Sequence, residues 1–128
     1  MDLRTEIVPK DNYLYFTVEG AYSLVEAKSL LIEIIDTAIE HKINRILIDF
    51  LRLEGGPTLM EDFDYAIFVA TQFRRAVIEN GISGMRMAYL GTRPTSKFAE
   101  MVASNRGVVA KVTTDIDEAR RWLLDTDS

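Results

Sequence analysis

A short apolar segment that leads through a glycine-proline turn into a helix start is the feature that most constrains the fold of this chain. Residues 46–50 are apolar except for Asp49 and have the length of a buried strand. The Gly-Gly-Pro sequence at 55–57 indicates a turn. Thr58 then begins the sequence Thr-Leu-Met-Glu, a capping box whose hydroxyl and carboxylate each bind a free backbone amide at a helix start. Such a strand-to-helix junction is typical of α/β proteins, in which ligands usually bind where the strands end.

Extended and helical patterns alternate along the rest of the chain. Apolar alternation and short apolar runs predict strands over 6–8, 13–19, 45–50, 85–90 and 108–112. Capping residues and helical spacing predict helices from Ser23, from Thr58 to about residue 80, over 96–106 and from Thr114. The order β-β-α-β-α-β-α-β-α predicts an α/β fold with a mixed five-stranded sheet, in which the first two strands form an antiparallel hairpin.

Length and composition exclude several classes of function. The 128 residues fit a single domain over 1–128. The net charge is −5 and no stripe of Lys or Arg is visible, so we expect no nucleic-acid binding. The chain has no Cys and one His, and we predict no metal and no cofactor. No apolar run has the length of a signal peptide or a membrane span, so we expect a cytoplasmic protein without membrane insertion.

The turn at 55–58 has two interpretations. In the functional one, Thr58 is a regulatory hydroxyl or an anion site, because free amides at a helix start attract negative charge. Gly55 and Gly56 would shape that loop, and Asp49 would be a functional carboxylate near the strand end. In the structural one, which we favour, Thr58 caps the helix by binding the amide of Glu61, the glycines supply the turn and Asp49 binds loop amides.

A second candidate site follows the fourth predicted strand. The sequence at 91–97 brings two cations and three hydroxyls together between a strand and a helix. The candidate anion-binding residues are Thr92, Arg93, Thr95, Ser96 and Lys97. Their spacing differs from that of a P-loop. A solvated loop whose hydroxyls cap the next helix is the alternative.

The second helix carries more apolar residues than one narrow stripe needs. Its predicted core stripe consists of Phe63, Ala66, Ile67, Ala70, Phe73 and Val77. Tyr65, Phe68, Val69 and Ala76 fall outside that stripe. They predict either an interface for self-association or a protein partner, with Tyr65, Phe68 and Val69 as candidate residues, or a wide core stripe covered by loops.

Three short motifs carry a resemblance to a known family. The second strand closes with Glu19-Gly20, the third strand ends in Ile48-Asp49, and the last helix reads Asp-Glu-Ala-Arg-Arg-Trp-Leu at 117–123. Together with the order of elements and the glycine loop, they resemble the STAS family, named for sulfate transporters and anti-sigma factor antagonists. The similarity is greatest to its small bacterial SpoIIAA-like members.

The resemblance implies a SpoIIAA-like fold and a non-enzymatic interaction domain. Signalling members of the family bind a kinase-type anti-sigma factor and are switched by phosphorylation of a Ser or Thr that enters the second helix. The matching region here reads Gly56-Pro57-Thr58-Leu59, without the Asp-Ser-Ser-Gly pattern of those members, so only Thr58 could be the acceptor. The fold is also similar to that of CRAL-TRIO lipid-binding domains, which implies a possible apolar ligand.

These observations lead to one hypothesis and one alternative. The hypothesis is a cytoplasmic, non-enzymatic STAS-like module that acts through protein contacts and forms a homodimer. The alternative is a domain that binds or senses a small anionic or apolar ligand.

Overall fold

The computed structural model of the chain describes residues 1–91 and 104–125, which form a mixed sheet with helices on both faces. In chain order the elements are β1 (Asp2–Val8), β2 (Tyr13–Ala21), α1 (Leu24–His41), β3 (Arg45–Glu54), α2 (Leu59–Arg74), β4 (Arg86–Leu90), β5 (Ala110–Thr113) and α3 (Ile116–Leu124). A π-helical turn, Arg75–Glu79, extends α2. The helix predicted over 96–106 lies almost entirely outside the described residues.

The five strands follow one another across the sheet in the order β1-β2-β3-β4-β5. β1 and β2 form an antiparallel hairpin, and the pairs from β2 to β5 are parallel. Parallel neighbours need long crossover connections, and α1 and α2 are the crossovers between β2, β3 and β4. The predicted α/β class, the mixed five-stranded sheet and the antiparallel first hairpin are confirmed.

The central strand β3 buries side chains on both faces of the sheet. Ile46 and Ile48 are fully buried in the main core, which α1 and α2 cover. Leu47 faces the other side and packs with Ala119 and Leu123 of α3 in a smaller core. A strand that is buried on both faces has a continuous apolar sequence, which explains why residues 46–48 predict it so clearly.

β3 is longer than the sequence predicts. It continues to Glu54, four residues beyond the predicted end. Its register with β2 shifts, because Asp49 pairs with Thr17 whereas Arg52 pairs with Glu19. Two residues of β3 therefore lie opposite one residue of β2, which is a β-bulge. The bulge interrupts the alternation of side chains, so a period of two residues does not predict the strand beyond it.

The two predicted helix starts differ in how completely they are capped. The Ser23 hydroxyl accepts a hydrogen bond from the amide of Glu26 at 3.4 Å. The Glu26 carboxylate forms an ion pair with the amino group of Met1 at 3.3 Å, so the predicted capping box at α1 is half formed. At α2 both bonds of the capping box between Thr58 and Glu61 are present.

The buried face of α2 is rotated relative to the predicted stripe. Its buried apolar residues are Ala66, Val69, Ala70 and Phe73, and Ala76 is buried in the turn that follows. Small alanines let the helix lie close to the sheet, and this brings Val69 into the main core with an exposed fraction of 3%. The prediction that Val69 belongs to an interface is therefore wrong. Phe63 and Ile67, which were predicted in the core, are only half buried.

None of the helices within 1–91 and 104–125 combines the length and the apolar character that crossing a membrane requires.

Val69→Ala should lower the free energy of unfolding by about 2 kcal/mol, because it removes two buried methyl groups and leaves a cavity. Ile78→Ala is the matched control, since Ile78 is 72% exposed and its truncation should change stability by less than about 0.5 kcal/mol. Urea unfolding of both variants measures the difference. Equal effects would contradict the burial of Val69.

Candidate functional site

The junction between β3 and α2 lies at the carboxyl end of the parallel strands. The amide of Tyr22 donates a hydrogen bond to the carbonyl of Glu54 at 2.9 Å, which holds the end of β2 beside the end of β3. Gly55 turns the chain with a φ of 76°, a left-handed conformation that favours glycine. A Cβ at Gly55 or at Gly56 would meet no atom within 4 Å, so both glycines border open space.

Thr58 uses its hydroxyl to cap α2. The Thr58 Oγ1 accepts a hydrogen bond from the amide of Glu61 at 3.2 Å. The carboxylate of Glu61 accepts one from the amide of Thr58 at 3.0 Å. This is the capping arrangement that the sequence predicts, and it gives the hydroxyl a structural role.

Asp49 lies within β3 rather than in the loop that begins α2. Its side chain is on the face of the sheet that carries Leu47, opposite the face that α2 covers. One carboxylate oxygen accepts a hydrogen bond from the amide of Leu51 at 2.9 Å, and the other accepts one from the Tyr15 hydroxyl at 2.6 Å. Asp49 and Thr58, which were predicted to belong to one loop site, therefore lie on opposite sides of the sheet layer and have separate partners.

The Tyr15–Asp49 pair belongs to a small polar cluster beside α3. Burial, the hydrogen bond to Asp49 and the charge of that carboxylate together raise the pKa of Tyr15 to about 12. Arg120 of α3 donates a hydrogen bond from Nε to the Tyr13 hydroxyl at 3.2 Å. At neutral pH the Tyr15 phenol is thus a protonated hydrogen-bond donor, which makes the cluster a structural link and a poor general base.

Tyr65 and Phe68 are half buried and contact residues of the fold. The Tyr65 hydroxyl lies 3.4 Å from the Tyr89 hydroxyl, and their rings pack edge to face with centroids 6.3 Å apart. Burial raises the pKa of both tyrosines. The ammonium of Lys28 lies 5.5 Å from the centroid of the Phe68 ring and links α1 to α2. Both candidate interface residues therefore contribute to internal packing.

The starts of α1 and α2 carry an exposed apolar surface that was not predicted from the sequence. Val25 is 78% exposed, Leu59 64% and Met60 76%. An open groove of about 400 Å³ lies beside Met60, and its lining also includes Leu24, the neighbour of Val25 in sequence. Its lining consists of Leu24, Met60, Glu61, Phe63, Asp64 and Ile67. The exposed residues Val25, Leu59 and Met60 together with this groove are called the helix-start patch below.

A signal for the helix-start patch is present in the sequence. Leu24 and Val25 follow the cap Ser23, and Leu59 and Met60 follow the cap Thr58. Consecutive helical residues point in directions about 100° apart, so both members of an apolar pair are buried only where the core covers a wide stripe, as it does at Ile34 and Ile35 of α1. In a first turn, at the end of the helix, an apolar pair directly after the cap indicates an exposed apolar side chain, as at Val25, Leu59 and Met60.

Acidic residues surround the helix-start patch. Burial raises the pKa of Tyr22 to about 12, and the nearby charges of Glu61, Asp62 and Asp64 contribute to the increase. Burial and the charge of Glu61 also raise the pKa of Asp62. Lys28 forms an ion pair with Asp64 at 3.1 Å. Within the described part of the chain, Glu61 and Asp62 take part in no ion pair.

The predicted anion-binding residues Thr92, Arg93, Thr95, Ser96 and Lys97 lie outside the described residues. Among the residues that are described, no group of three or more His, Asp or Glu side chains is arranged to hold a metal ion.

Comparison with known proteins gives matches only at the level of structure. No family model matches the sequence, and no curated protein matches it significantly. An uncharacterized protein of the DUF3478 family from Shewanella loihica PV-4, described as having a SpoIIAA-like fold, matches with a TM-score of 0.55 and 23% identity. The match covers 95% of this chain and 92% of that chain. The chain has a SpoIIAA-like fold.

A second solved structure supports the same fold. An anti-sigma factor antagonist from Mycobacterium paratuberculosis matches with a TM-score of 0.59 and 15% identity, over 97% of this chain and 96% of that chain. The SpoIIAA-like fold predicted from the resemblance is therefore confirmed. The low identities fit a sequence that diverges from the anti-sigma factor antagonists.

Thr58→Ala should lower the free energy of unfolding by about 1 kcal/mol, because it removes the acceptor for the Glu61 amide. Thr71→Ala is the matched control inside α2, where alanine has the higher helix propensity and should not destabilise. Thermal or urea unfolding measures both. An unchanged stability of Thr58→Ala would contradict the capping role.

The raised pKa of Tyr15 predicts a loss of stability at alkaline pH. The folded chain holds this proton more tightly than the unfolded chain, so the stabilisation is complete below pH 10 and is lost as the pH rises towards about 12. Tyr15→Phe should make the decrease of unfolding free energy between pH 9.5 and 11.5 less steep, as measured in urea. Asp49→Asn should lower the pKa of Tyr15, followed by tyrosinate absorbance, yet leave it above 10 because burial is the largest cause.

Proposed function

We propose that the chain is a non-enzymatic regulatory module that binds a protein partner at the helix-start patch. The partner segment has apolar side chains that enter the groove and basic side chains beside them. The observation that carries the proposal is the exposure of Met60 in the lining of an apolar groove at the capped start of α2, with the exposed Val25 and Leu59 adjacent in sequence to the lining residues Leu24 and Met60. Large exposed apolar side chains that cluster on a soluble fold mark interaction sites.

The apolar part of the helix-start patch suits an anchoring side chain of a partner. Leu24, Phe63 and Ile67 line the groove, and Met60 lies at its edge with most of its surface exposed. Methionine is flexible and polarisable, so it adapts to partner surfaces of different shape. Apolar anchors that fill a pocket contribute most of the binding energy at many protein interfaces.

The charges around the groove favour a basic partner. Glu61 and Asp64 are part of the lining, and Asp62 lies between them in sequence. Lys28 neutralises Asp64 in part, and the guanidinium of Arg106 lies 5.9 Å from the centroid of the Phe63 ring. Glu61 and Asp62 form no ion pair with any residue that the structure describes, so they leave an acidic rim, which would steer Lys or Arg side chains of a partner towards the groove.

The structural neighbours support protein binding as the class of function. One of them is described as an anti-sigma factor antagonist, a name that refers to action on another protein. Thr58 directly precedes the helix-start patch, so a modification of its hydroxyl would change both the cap and the surface. Thr58, Gly55, Gly56 and Asp49 remain candidate regulatory residues on this proposal.

Further parts of the proposal come from the sequence. We propose that the protein is cytoplasmic, binds no nucleic acid and self-associates as a homodimer. The net charge of −5 supports the absence of nucleic-acid binding, because binding to phosphates needs a concentration of positive charge.

A synthetic amphipathic helical peptide with leucines on one face and lysines on the other is the probe for the helix-start patch. We expect the chain to bind this peptide and to bind a version with glutamate at each lysine position at least about ten-fold more weakly. Met60→Ser should weaken binding of the lysine peptide about ten-fold, as measured by fluorescence anisotropy, because it removes apolar contact area without adding a carboxylate that would itself attract lysine. Met60 is 76% exposed, so this variant should remain folded.

Ile78→Ser is the matched control, since Ile78 is 72% exposed, close to the 76% of Met60, and lies outside the helix-start patch. It should leave peptide binding unchanged. Equal binding of the lysine and glutamate peptides, or equal effects of the two variants, would contradict the proposal. If neither peptide binds while a fatty acid or a small anion raises stability, the alternative of a small-ligand domain is correct. A ligand at 100 times its dissociation constant should raise the unfolding free energy by about 2.7 kcal/mol.

A further inference from the structure

β1 is an edge strand of the sheet that the described residues form. Among the described residues β1 pairs with β2 alone, through seven consecutive residue pairs without a bulge. The backbone amides and carbonyls on the other side of an edge strand are free to pair with a further strand. The opposite edge strand, β5, has only four residues. β1 is therefore the long regular edge of the sheet.

The charges of β1 alternate in sign along one face. Asp2, Arg4 and Glu6 share the face of β2 that carries Thr17 and Tyr15. Arg4 and Glu6 are exposed, and neither forms an ion pair within the described residues. Natural proteins usually protect an edge with charged side chains, proline or a bulge. β1 contains neither proline nor a bulge, and its charges alternate in sign, so they favour pairing in a register that places opposite charges together.

We propose that β1 binds β1 of a second copy of this chain, antiparallel and with Thr5 opposite Thr5. This register places Arg4 of each copy opposite Glu6 of the other. The two five-stranded sheets become one continuous sheet. The inference does not depend on the function of the helix-start patch.

Charge selects this register from its neighbours. Residues that lie opposite each other in an antiparallel pair must point to the same face of the sheet. A change of register by one residue would break this match, so only registers that are centred on a residue are allowed. A register centred on Arg4 would place Arg4 opposite itself and Asp2 opposite Glu6. A register centred on Glu6 would place Glu6 opposite itself. The register centred on Leu3 would pair Asp2 with Arg4, but it would leave Glu6, Ile7 and Val8 without partners. Only the register centred on Thr5 both pairs opposite charges and pairs all residues of β1.

The apolar side chains of β1 fit the same register. Leu3 and Ile7 lie on the face of the main core, in line with Val18 and Leu14 of β2. Ile7 is 38% exposed in the single chain. With Thr5 opposite Thr5, Leu3 of one copy lies opposite Ile7 of the other, which covers Ile7 and joins the apolar faces of the two copies. Cross-strand pairs of apolar and of oppositely charged residues both stabilise a sheet.

Charge exchange between Arg4 and Glu6 tests the proposal. Sedimentation of the unaltered chain should show a dimer at high micromolar concentration. Arg4→Glu and Glu6→Arg should each raise the dimer dissociation constant about ten-fold or more, because each creates two like-charge pairs across the two-fold axis. The double variant Arg4→Glu with Glu6→Arg restores opposite charges and should restore the dimer. Lys10→Glu and Glu33→Arg are controls with the same charge changes outside β1 and should dimerise normally.

Cysteine cross-linking provides a measurement that does not depend on charge. The chain has no Cys, so Thr5→Cys introduces a single thiol at the two-fold axis. A short bis-maleimide should link two copies of Thr5→Cys efficiently and two copies of the exposed α1 variant Ser29→Cys poorly. A strictly monomeric chain would overturn the proposal. So would a dimer that survives both single charge reversals, or a double variant that stays monomeric while its circular dichroism is that of the folded chain.

Discussion

Burial of β3 on both faces is the constraint on which the other elements depend. Ile46 and Ile48 need a cover on one side of the sheet and Leu47 needs one on the other. α1 and α2 provide the first cover, and α3 provides the second. Because the crossovers on the first side connect parallel strands, α1 and α2 must both begin at the carboxyl end of the sheet. The packing of one strand thus brings two helix starts together.

The acidic residues at the two helix starts have a structural explanation that does not require a binding partner. Each helix N-terminus carries a partial positive charge, and acidic residues in the first turn compensate it. Glu26 in α1 and Glu61 and Asp62 in α2 occupy such positions. Compensation of the two helix dipoles therefore produces an acidic rim around Leu59 and Met60, and a basic partner would use charges that the fold already requires.

The fold was predictable from sequence because its signals are local. The apolar run at 46–48, the capping sequences at Ser23 and Thr58, and the strand-helix order each follow from short-range spacing. The bulge after Asp49 was not predictable, because it depends on the register between β2 and β3. The burial of Val69 was missed for a similar reason, since the rotation of α2 is set by how closely its alanines approach the sheet.

The candidate site was less predictable than the fold. The sequence gives the order of residues along the chain, but it does not show which residues of different strands and helices lie close together. Asp49 and Thr58 are nine positions apart, yet the alternation of β3 directs Asp49 to the face opposite α2, where it binds Tyr15. Val25 and Met60 are far apart in sequence, but both lie at helix starts at the carboxyl end of the parallel strands. Each belongs to a local pattern, an apolar pair after a cap, whose meaning depends on the parallel arrangement of the two helices.

The dimer geometry determines how many partners the module could engage at once. Residues that lie opposite each other in an antiparallel pair share a face of the sheet, so α1 and α2 of both copies would cover the same side. The two-fold axis through Thr5 is then perpendicular to the sheet and reverses the strand direction. The two helix-start patches would consequently lie at opposite ends of that helical layer. One short partner segment cannot reach both, so a dimer would bind two separate segments, and avidity would require a partner with two such segments on a long linker.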